Sequence, residues 1–334
     1  MATTKRLLAL LCLFPLALGA SSGCSASLPT GLTPGGASQN LTISSKSVIG
    51  NTTERRYIVH LPTNFAASNA KPAPLIFALH GQLQPAWSME SVTQLSQPEF
   101  NKDHVVVYPL GLDVQDPGIQ WLSDPAAPPS SVLDDRIFIS ELLAHLTSTL
   151  CIDESRIYAT GVSNGGGLSA LLACDPILNK KFAAFALVAA AMYPDSSLTE
   201  PLFEAGCNPN LSGGRKIPIL EFHGTSDAVV AYDGNNGDTP ASIPIPTFVD
   251  SWVQRNECQD ASPVTASFEE GKVEETRWSC GGKKDVVVHR AIEGFGHGWP
   301  SRASQAAILE QLRVRKTEWD ATSVILKWFA GWKL

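Results

Sequence analysis

Along this chain the apolar residues gather into short, nearly unbroken runs, and the stretches between them alternate at helical spacing. Residues 57–61, 75–79, 105–108, 156–160, 184–189, 219–222 and 286–292 are runs of Val, Ile, Leu, Ala and aromatic residues. Runs of this length and composition predict strands covered on both faces. Residues 88–95 and 134–150 read as helices, the second opened by Asp134 or Asp135 as N-cap. A third helical run covers 168–174, and 319–332 reads as a closing amphipathic helix. Residues 263–268 and 273–279 are the two arms of a predicted hairpin. Strands alternating with helices predict an α/β fold: one domain with a mostly parallel central sheet flanked by helices.

The ends of the chain have a different texture. Lys5 and Arg6 precede the apolar run 7–18, and the small residues Gly19, Ala20, Ser21 and Ser22 follow. This pattern is that of a secretory signal peptide over 1–20, cleaved after Gly19 or Ala20. The run is too short to span a bilayer, and no later segment qualifies. A lipoprotein site at Cys24 is disfavoured because Ser21 stands where such sites prefer leucine. Residues 21–334 are then the catalytic domain. Residues 21–39, rich in Ser, Gly and Pro, are expected to lie across its surface. Two Pro-rich loops, 123–131 and 234–246, interrupt the pattern, and no short Cys-rich carbohydrate-binding module is appended.

Charge and cysteines narrow the setting. The 334 residues carry 25 Lys and Arg against 32 Asp and Glu, a net charge of −7, with no long single-sign run. That balance argues against a nucleic-acid partner. Signal removal takes one of the seven cysteines, Cys12, and leaves six. An even number in a secreted chain implies three disulfides, with fifteen connectivities open. The expected pairs are Cys24–Cys151, Cys174–Cys207 and Cys258–Cys280. Glycosylation sequons begin at Asn40, Asn51 and Asn210.

The candidate chemistry centres on Gly161-Val162-Ser163-Asn164-Gly165, a G-x-S-x-G between a predicted strand and a predicted helix. That context is a nucleophile elbow, in which a serine sits on a sharp turn at the top of the sheet of an α/β-hydrolase fold. The glycines leave room where a Cβ would strike a neighbouring strand or helix. A serine hydroxyl needs a base, and the base needs a carboxylate. In this fold the order is serine, acid, histidine. Asp227 follows the strand ending Phe222-His223-Gly224, and His297 lies in Gly294-Phe295-Gly296-His297-Gly298 just past the strand 286–292. Asp233, Asp238 and Asp250 are rivals for the acid, though none follows a strong strand. His223 and His289 end or occupy strands and read as packing or hydrogen-bonding residues. For the oxyanion hole, the backbone N–H groups of Asn164 and Gln82 are the candidates, with Gly81 next. The loop 234–246, close behind Asp227, is a candidate border of the acyl pocket.

Several stretches together resemble fungal feruloyl esterases of carbohydrate esterase family 1, types B and D. They are Cys24-Ser25-Ala26-Ser27-Leu28-Pro29, Leu79-His80-Gly81, Arg156-Ile157-Tyr158-Ala159-Thr160-Gly161, Ser163-Asn164-Gly165-Gly166-Gly167, Leu220-Glu221-Phe222-His223-Gly224 and Gly296-His297-Gly298-Trp299-Pro300. The pairing of Ser163-Asn164-Gly165-Gly166 with His297-Gly298-Trp299-Pro300 is also found in acetylxylan esterases and extracellular polyhydroxybutyrate depolymerases. The resemblance implies Ser163 as nucleophile, Asp227 as acid and His297 as base of a secreted serine carboxylic-ester hydrolase. Its substrate would be feruloylated cell-wall polysaccharide such as arabinoxylan, with no metal or cofactor required. Trp121 and Trp299 are candidate contacts for the aromatic acyl group or the sugar. The resemblance leads one to expect Asp-Asp followed by a small or β-branched residue and Gly, whereas the chain reads Asp134-Asp135-Arg136-Ile137-Phe138. This points to different packing near the pocket. The competing readings are an acetylxylan esterase, a polyester depolymerase, and an inactive carbohydrate-binding protein on a hydrolase scaffold.

Overall fold

The apolar runs become strands because only a sheet packed on both faces removes so many adjacent apolar side chains from water. In the computed structural model, which describes residues 19–66, 71–113, 118–195, 198, 200–234, 241–258 and 262–334, ten strands share one sheet. They are β1 (Gln39–Ser45), β2 (Thr53–His60), β3 (Ala73–Leu79), β4 (Val105–Pro109), β5 (Ile152–Val162), β6 (Ala184–Val188), β7 (Ile219–Gly224), β8 (Val264–Phe268), β9 (Val273–Cys280) and β10 (Lys283–Ile292). Their spatial order is β1-β2-β4-β3-β5-β6-β7-β10-β9-β8. The block from β4 to β10 is parallel throughout, and β1, β2, β9 and β8 join antiparallel at the edges.

Side chains alternate across this sheet and build a core on each face. Leu75, Phe77 and Leu79 of β3 face one core, and Ile76 and Ala78 the other. The helices α2 (Asp135–Thr149), α3 (Asn164–Cys174) and α4 (Ile245–Arg255) cover the first face. The second is covered by α1 (Ala86–Thr93) and α6 (Ala321–Phe329), with α5 (Ala307–Arg313) beside the loop that follows β10. Phe329 of α6 stacks on Tyr158 of β5 at 4.4 Å between ring centroids. The Tyr158 hydroxyl donates to Trp332 O at 2.8 Å, so the ring's polar end is satisfied too.

The three expected disulfides are the ones formed. Cys174, the last residue of α3, is tied to Cys207, and Cys258, just past α4, is tied to Cys280 at the end of β9. Asp134 is the N-cap of α2, its carboxylate accepting from Arg136 N at 2.9 Å. Other expectations need correction. The closing helix is confined to Ala321–Phe329, leaving Trp319 outside it. The segment expected to lie across the surface is anchored at its start: Cys24 is buried, and a Cβ on Gly23 would fall 2.2 Å from Leu150 O. Of the signal segment, only Gly19 and Ala20 are among the described residues, where Ala20 bridges Asp153. Asn40 and Asn51 are exposed, and Asn210 is half-buried. No described helix is long and apolar enough to cross a membrane.

Candidate active site

The turn between β5 and α3 holds Ser163 at φ 56°, ψ −125°, a conformation rare for a residue with a Cβ. Holding it there costs about 1–3 kcal/mol, which the surrounding packing must offset. The packing is tight enough to require glycine on both sides. A Cβ on Gly165 would lie 2.3 Å from Leu79 O, and one on Gly161 would lie 2.2 Å from Gly165 O. Backbone bonds fix the turn: Ser163 N donates to Val188 O at 3.0 Å, and Ser163 O accepts from Ala191 N at 2.9 Å.

Two loops bring the acid and the imidazole together. After β7 the chain turns at Asp227, whose Oδ1 accepts from Val229 N and Val230 N, both at 2.8 Å. After β10, Gly296 N donates to Arg313 O at 2.9 Å and His297 N to Leu312 O at 2.7 Å, so α5 fixes the His297 loop from behind. His297 Nδ1 then donates to Asp227 Oδ2 at 2.7 Å. A proton at Nδ1 leaves Nε2 with its lone pair, the form a general base needs. Burial would raise the Asp227 carboxyl, but the His297 charge and hydrogen bonds from His223 and His297 outweigh it. The net effect holds the carboxyl below the usual carboxylate range. Of the rival acids, Asp250 is exposed on α4, and Asp238 lies outside the described residues.

Ser163 and His297 line one cleft of about 170 Å³, walled by Met89, Val92, Val162, Val229, Leu309 and Leu312. Among the described residues, no Asp, Glu, Lys or Arg lines it. Gln82 and Gly81 form its rim beside Ser163. Asn164 opens α3, so its N–H is one of the helix's unpaired N-terminal donors. Among the described residues, neither Asn164 N nor Gln82 N donates to a protein acceptor. Two such free donors can stabilise a developing oxyanion.

Asn164 also does something the sequence does not announce. Its Oδ1 accepts from Trp121 N at 2.7 Å, and its Nδ2 donates to Trp121 O at 3.2 Å and Ser123 Oγ at 2.9 Å. The segment 121–123 is thereby clamped to the elbow. Trp121, expected to touch substrate, is completely buried and is not among the residues lining the cleft. Its ring lies 4.8 Å from His80, and its Nε1 donates to His80 O at 2.9 Å, so it supports the cleft from below. Trp299 does line the cleft, with its Nε1 tied to Thr322 Oγ1 at 3.1 Å. His80 Nδ1 faces Gly81 O at 2.8 Å, and its Nε2 accepts from Gly111 N at 2.9 Å. Those partners fix a neutral tautomer. Burial above all, with the Arg55 charge adding to it, pushes its pKa down to about 4 against the opposing bond to Gly81.

The departure at Arg136-Ile137 does not reach the cleft. Arg136 turns back to Asp134 at 2.8 Å and towards Glu200 at 3.6 Å. The acid beside it has the larger structural role. Asp135 is fully buried, pairs with Arg55 at 2.9 Å and accepts from Leu122 N at 2.9 Å. Neither Pro-rich loop contributes a residue to the cleft lining, although residues 235–240 of the second lie outside the described residues.

His223 and His289, which read as packing residues in the sequence, belong to a buried polar chain. His223 Nδ1 lies 3.0 Å from Glu221 Oε1, and its Nε2 lies 2.8 Å from Val230 O and 3.3 Å from Asp227 Oδ2. His289 Nδ1 lies 2.7 Å from Glu221 Oε2, off the ring's N–H direction, and its Nε2 lies 2.8 Å from the Tyr232 hydroxyl.

No protein-family model matches the chain. It is 32% identical over 213 residues to feruloyl esterase B of Piromyces equi, covering 61% of this chain and 36% of that protein. It is 29% identical over 214 residues to a probable feruloyl esterase C of Aspergillus niger, covering 58% of this chain and 66% of that protein. Over 252 residues it is 29% identical to feruloyl esterase D of Neurospora crassa, covering 71% and 72% respectively. The chain therefore spans about a third of the Piromyces protein and just under two thirds of the Aspergillus one. Among solved structures, an acetyl xylan esterase from Aspergillus awamori superposes with TM-score 0.59 at 15% identity, over 89% of this chain and 100% of that one. An S-formylglutathione hydrolase from Agrobacterium tumefaciens gives 0.56 at 14% identity, over 89% and 96%. The chain is homologous to feruloyl esterases and has the α/β-hydrolase fold.

Proposed function

We propose that this protein is a secreted serine esterase that releases ferulic or related hydroxycinnamic acids from feruloylated plant cell-wall polysaccharide. The observation that carries the reading is the convergence of a positive-φ serine and an Asp227-bound imidazole on one mostly apolar cleft. Ser163 Oγ attacks the ester carbonyl as His297 Nε2 takes its proton, and the N–H groups of Asn164 and Gln82 receive the oxyanion. The imidazolium returns the proton to the departing sugar oxygen. Water then attacks the acyl-enzyme, giving its proton to His297, which passes it to Ser163 as the free acid leaves. Asp227 holds the imidazole in the Nδ1–H tautomer throughout.

The cleft supports an aromatic acyl group. Its walls are mostly apolar with Gln84, Ser88 and Gln305 among them, no acidic side chain, Lys or Arg of the described residues lines it, and an acetyl group would leave most of its 170 Å³ unfilled. The relatives named as feruloyl esterases point the same way. Three disulfides fit an oxidising, extracellular location.

The test is hydrolysis of methyl ferulate beside acetylated xylan, with Ser163→Ala as control. Ferulate release that falls by at least about 10³-fold in the variant is the expected result. Acetate release without ferulate release would move the assignment to an acetyl esterase. Activity on neither ester would sink it.

A further inference from the structure

Behind Asp227 the polar chain runs inward through His223, Glu221 and His289 to the Tyr232 hydroxyl. Glu221 is fully buried in the middle of β7, with carboxylate oxygens facing an imidazole on each side. Both carriers of those imidazoles follow from strand geometry. His223 is two residues on, hence on the same side of β7, and His289 is the direct register partner of Glu221 on β10. The partners of His223 decide its protonation. Its Nδ1 faces a carboxylate, while its Nε2 faces a carbonyl oxygen and a second carboxylate. Both carboxyls are held below the usual carboxylate range, and in their ionised form none of these groups can donate, so both ring nitrogens then carry a proton.

We propose that His223 is a positioning residue, a constitutive imidazolium pinned by Glu221 that fixes Asp227 as the acceptor for His297. The proposal rests on the assignment of Ser163, Asp227 and His297 made above. Asp227 is saturated by it: two backbone N–H groups hold Oδ1, and the two imidazoles share Oδ2. A carboxylate so held cannot rotate away from His297 Nδ1. Burial works against a charged His223, but the hydrogen bonds it donates to Asp227 and Glu221 prevail and raise its pKa to about 10. The other charges facing the chain are Glu274 of β9, near Tyr232, and Arg313 of α5 behind the His297 loop, where Glu310 pairs with it.

The experiment compares wild type with His223→Gln and His223→Leu on a soluble ester across pH, alongside ¹⁵N-histidine NMR of the same proteins. In His223→Gln, kcat should fall about 10–100-fold while KM stays within about twofold, as for other residues that orient a catalytic ligand. His223→Leu, which cannot bond Asp227, should lose more kcat than the Gln variant. A folded His223→Gln enzyme with unchanged kcat would reduce His223 to packing. The NMR arm does not need activity. It should show His223 with protons on both ring nitrogens at pH 8. A single-tautomer His223 at pH 7 overturns the proposal. An unreactive Ser163 towards an organophosphate would instead overturn the esterase assignment.

Discussion

Two sets of fully buried charges reach this site, and they are built from different chemistry. Beneath the 121–123 segment, Arg55 pairs with Asp135 at 2.9 Å. Arg55 also donates to Ser47 Oγ at 2.8 Å and Leu110 O at 3.3 Å, and its guanidinium lies 3.9 Å over the Phe138 ring. Behind His297, carboxylates alternate with imidazoles. A guanidinium keeps its proton at any pH a protein survives, so the first set offers a fixed charge and a fixed shape. An imidazole can change charge, so the second set can tune a proton. The pair whose cation cannot titrate anchors the segment that Asn164 clamps. The chain of carboxylates and imidazoles ends on the group that accepts a proton in the proposed reaction.

The contrast is sharpest at the two acids. Asp227→Asn should keep the fold and lower kcat by roughly 10⁴-fold, since an amide can offer its N–H to His297 and favour the wrong tautomer. Steady-state kinetics with a melting curve check this, and a variant within tenfold of wild type would separate Asp227 from the chemistry. Arg55→Met should do the reverse. Leaving Asp135 buried without its partner costs about 3–5 kcal/mol of stability, read by denaturant unfolding. The folded fraction should keep kcat within a few-fold. A large kcat loss at full stability would make the first set a tuning element as well.

The smallest effect is in pH dependence. His223 has its pKa raised to about 10 in the folded state, above its value in the unfolded chain. Its stabilisation is therefore complete below about pH 6.5 and is lost as pH rises towards 10. Asp227 and Glu221 are both lowered. For them burial acts upward and is outweighed by the facing histidines, so their contribution is present above about pH 4 and is lost on acidification. Asp135 has the opposite sign, because burial raises it despite Arg55. It therefore weakens the fold once pH passes above the unfolded carboxyl range, and acid relieves that cost. Unfolding midpoints of wild type should thus decline between about pH 7 and 10, and those of His223→Gln should decline less. Parallel declines would remove His223 as the source.

Most of the parallel sheet was legible in the sequence because buried parallel strands are unbroken apolar runs. The misses have physical reasons. α4 begins at Ile245-Pro246 after Pro244, a start that reads as loop although proline is at home in a helix's first turn. β1, at the sheet's edge, is half-exposed and mixes polar with apolar residues, so it lacks the signal of the central strands. At the site, the motif and the chain order point to Ser163, Asp227 and His297, and the structure brings the last two into contact and the first into the same cleft. Trp121 misled because an aromatic residue in a loop looks accessible, whereas its clamp to Asn164 draws it inside. The chain behind Asp227 did leave a trace: a glutamate within Ile219-Leu220-Glu221-Phe222-His223, a strand otherwise apolar up to its histidine. A buried acid there requires a partner. What the sequence could not show was the register that sets His289 opposite it.

The Cys24–Cys151 bridge has a consequence for a chain exposed to proteases. The two cysteines stand 127 positions apart, and the loop they close contains β1 to β4 and all of α1 and α2. One proteolytic nick anywhere between the two cysteines would leave both fragments covalently joined. Such a molecule would run as a single band on a non-reducing gel and as two after reduction, and its Ser163 elbow, downstream of the loop, would stay on an uncut stretch of chain.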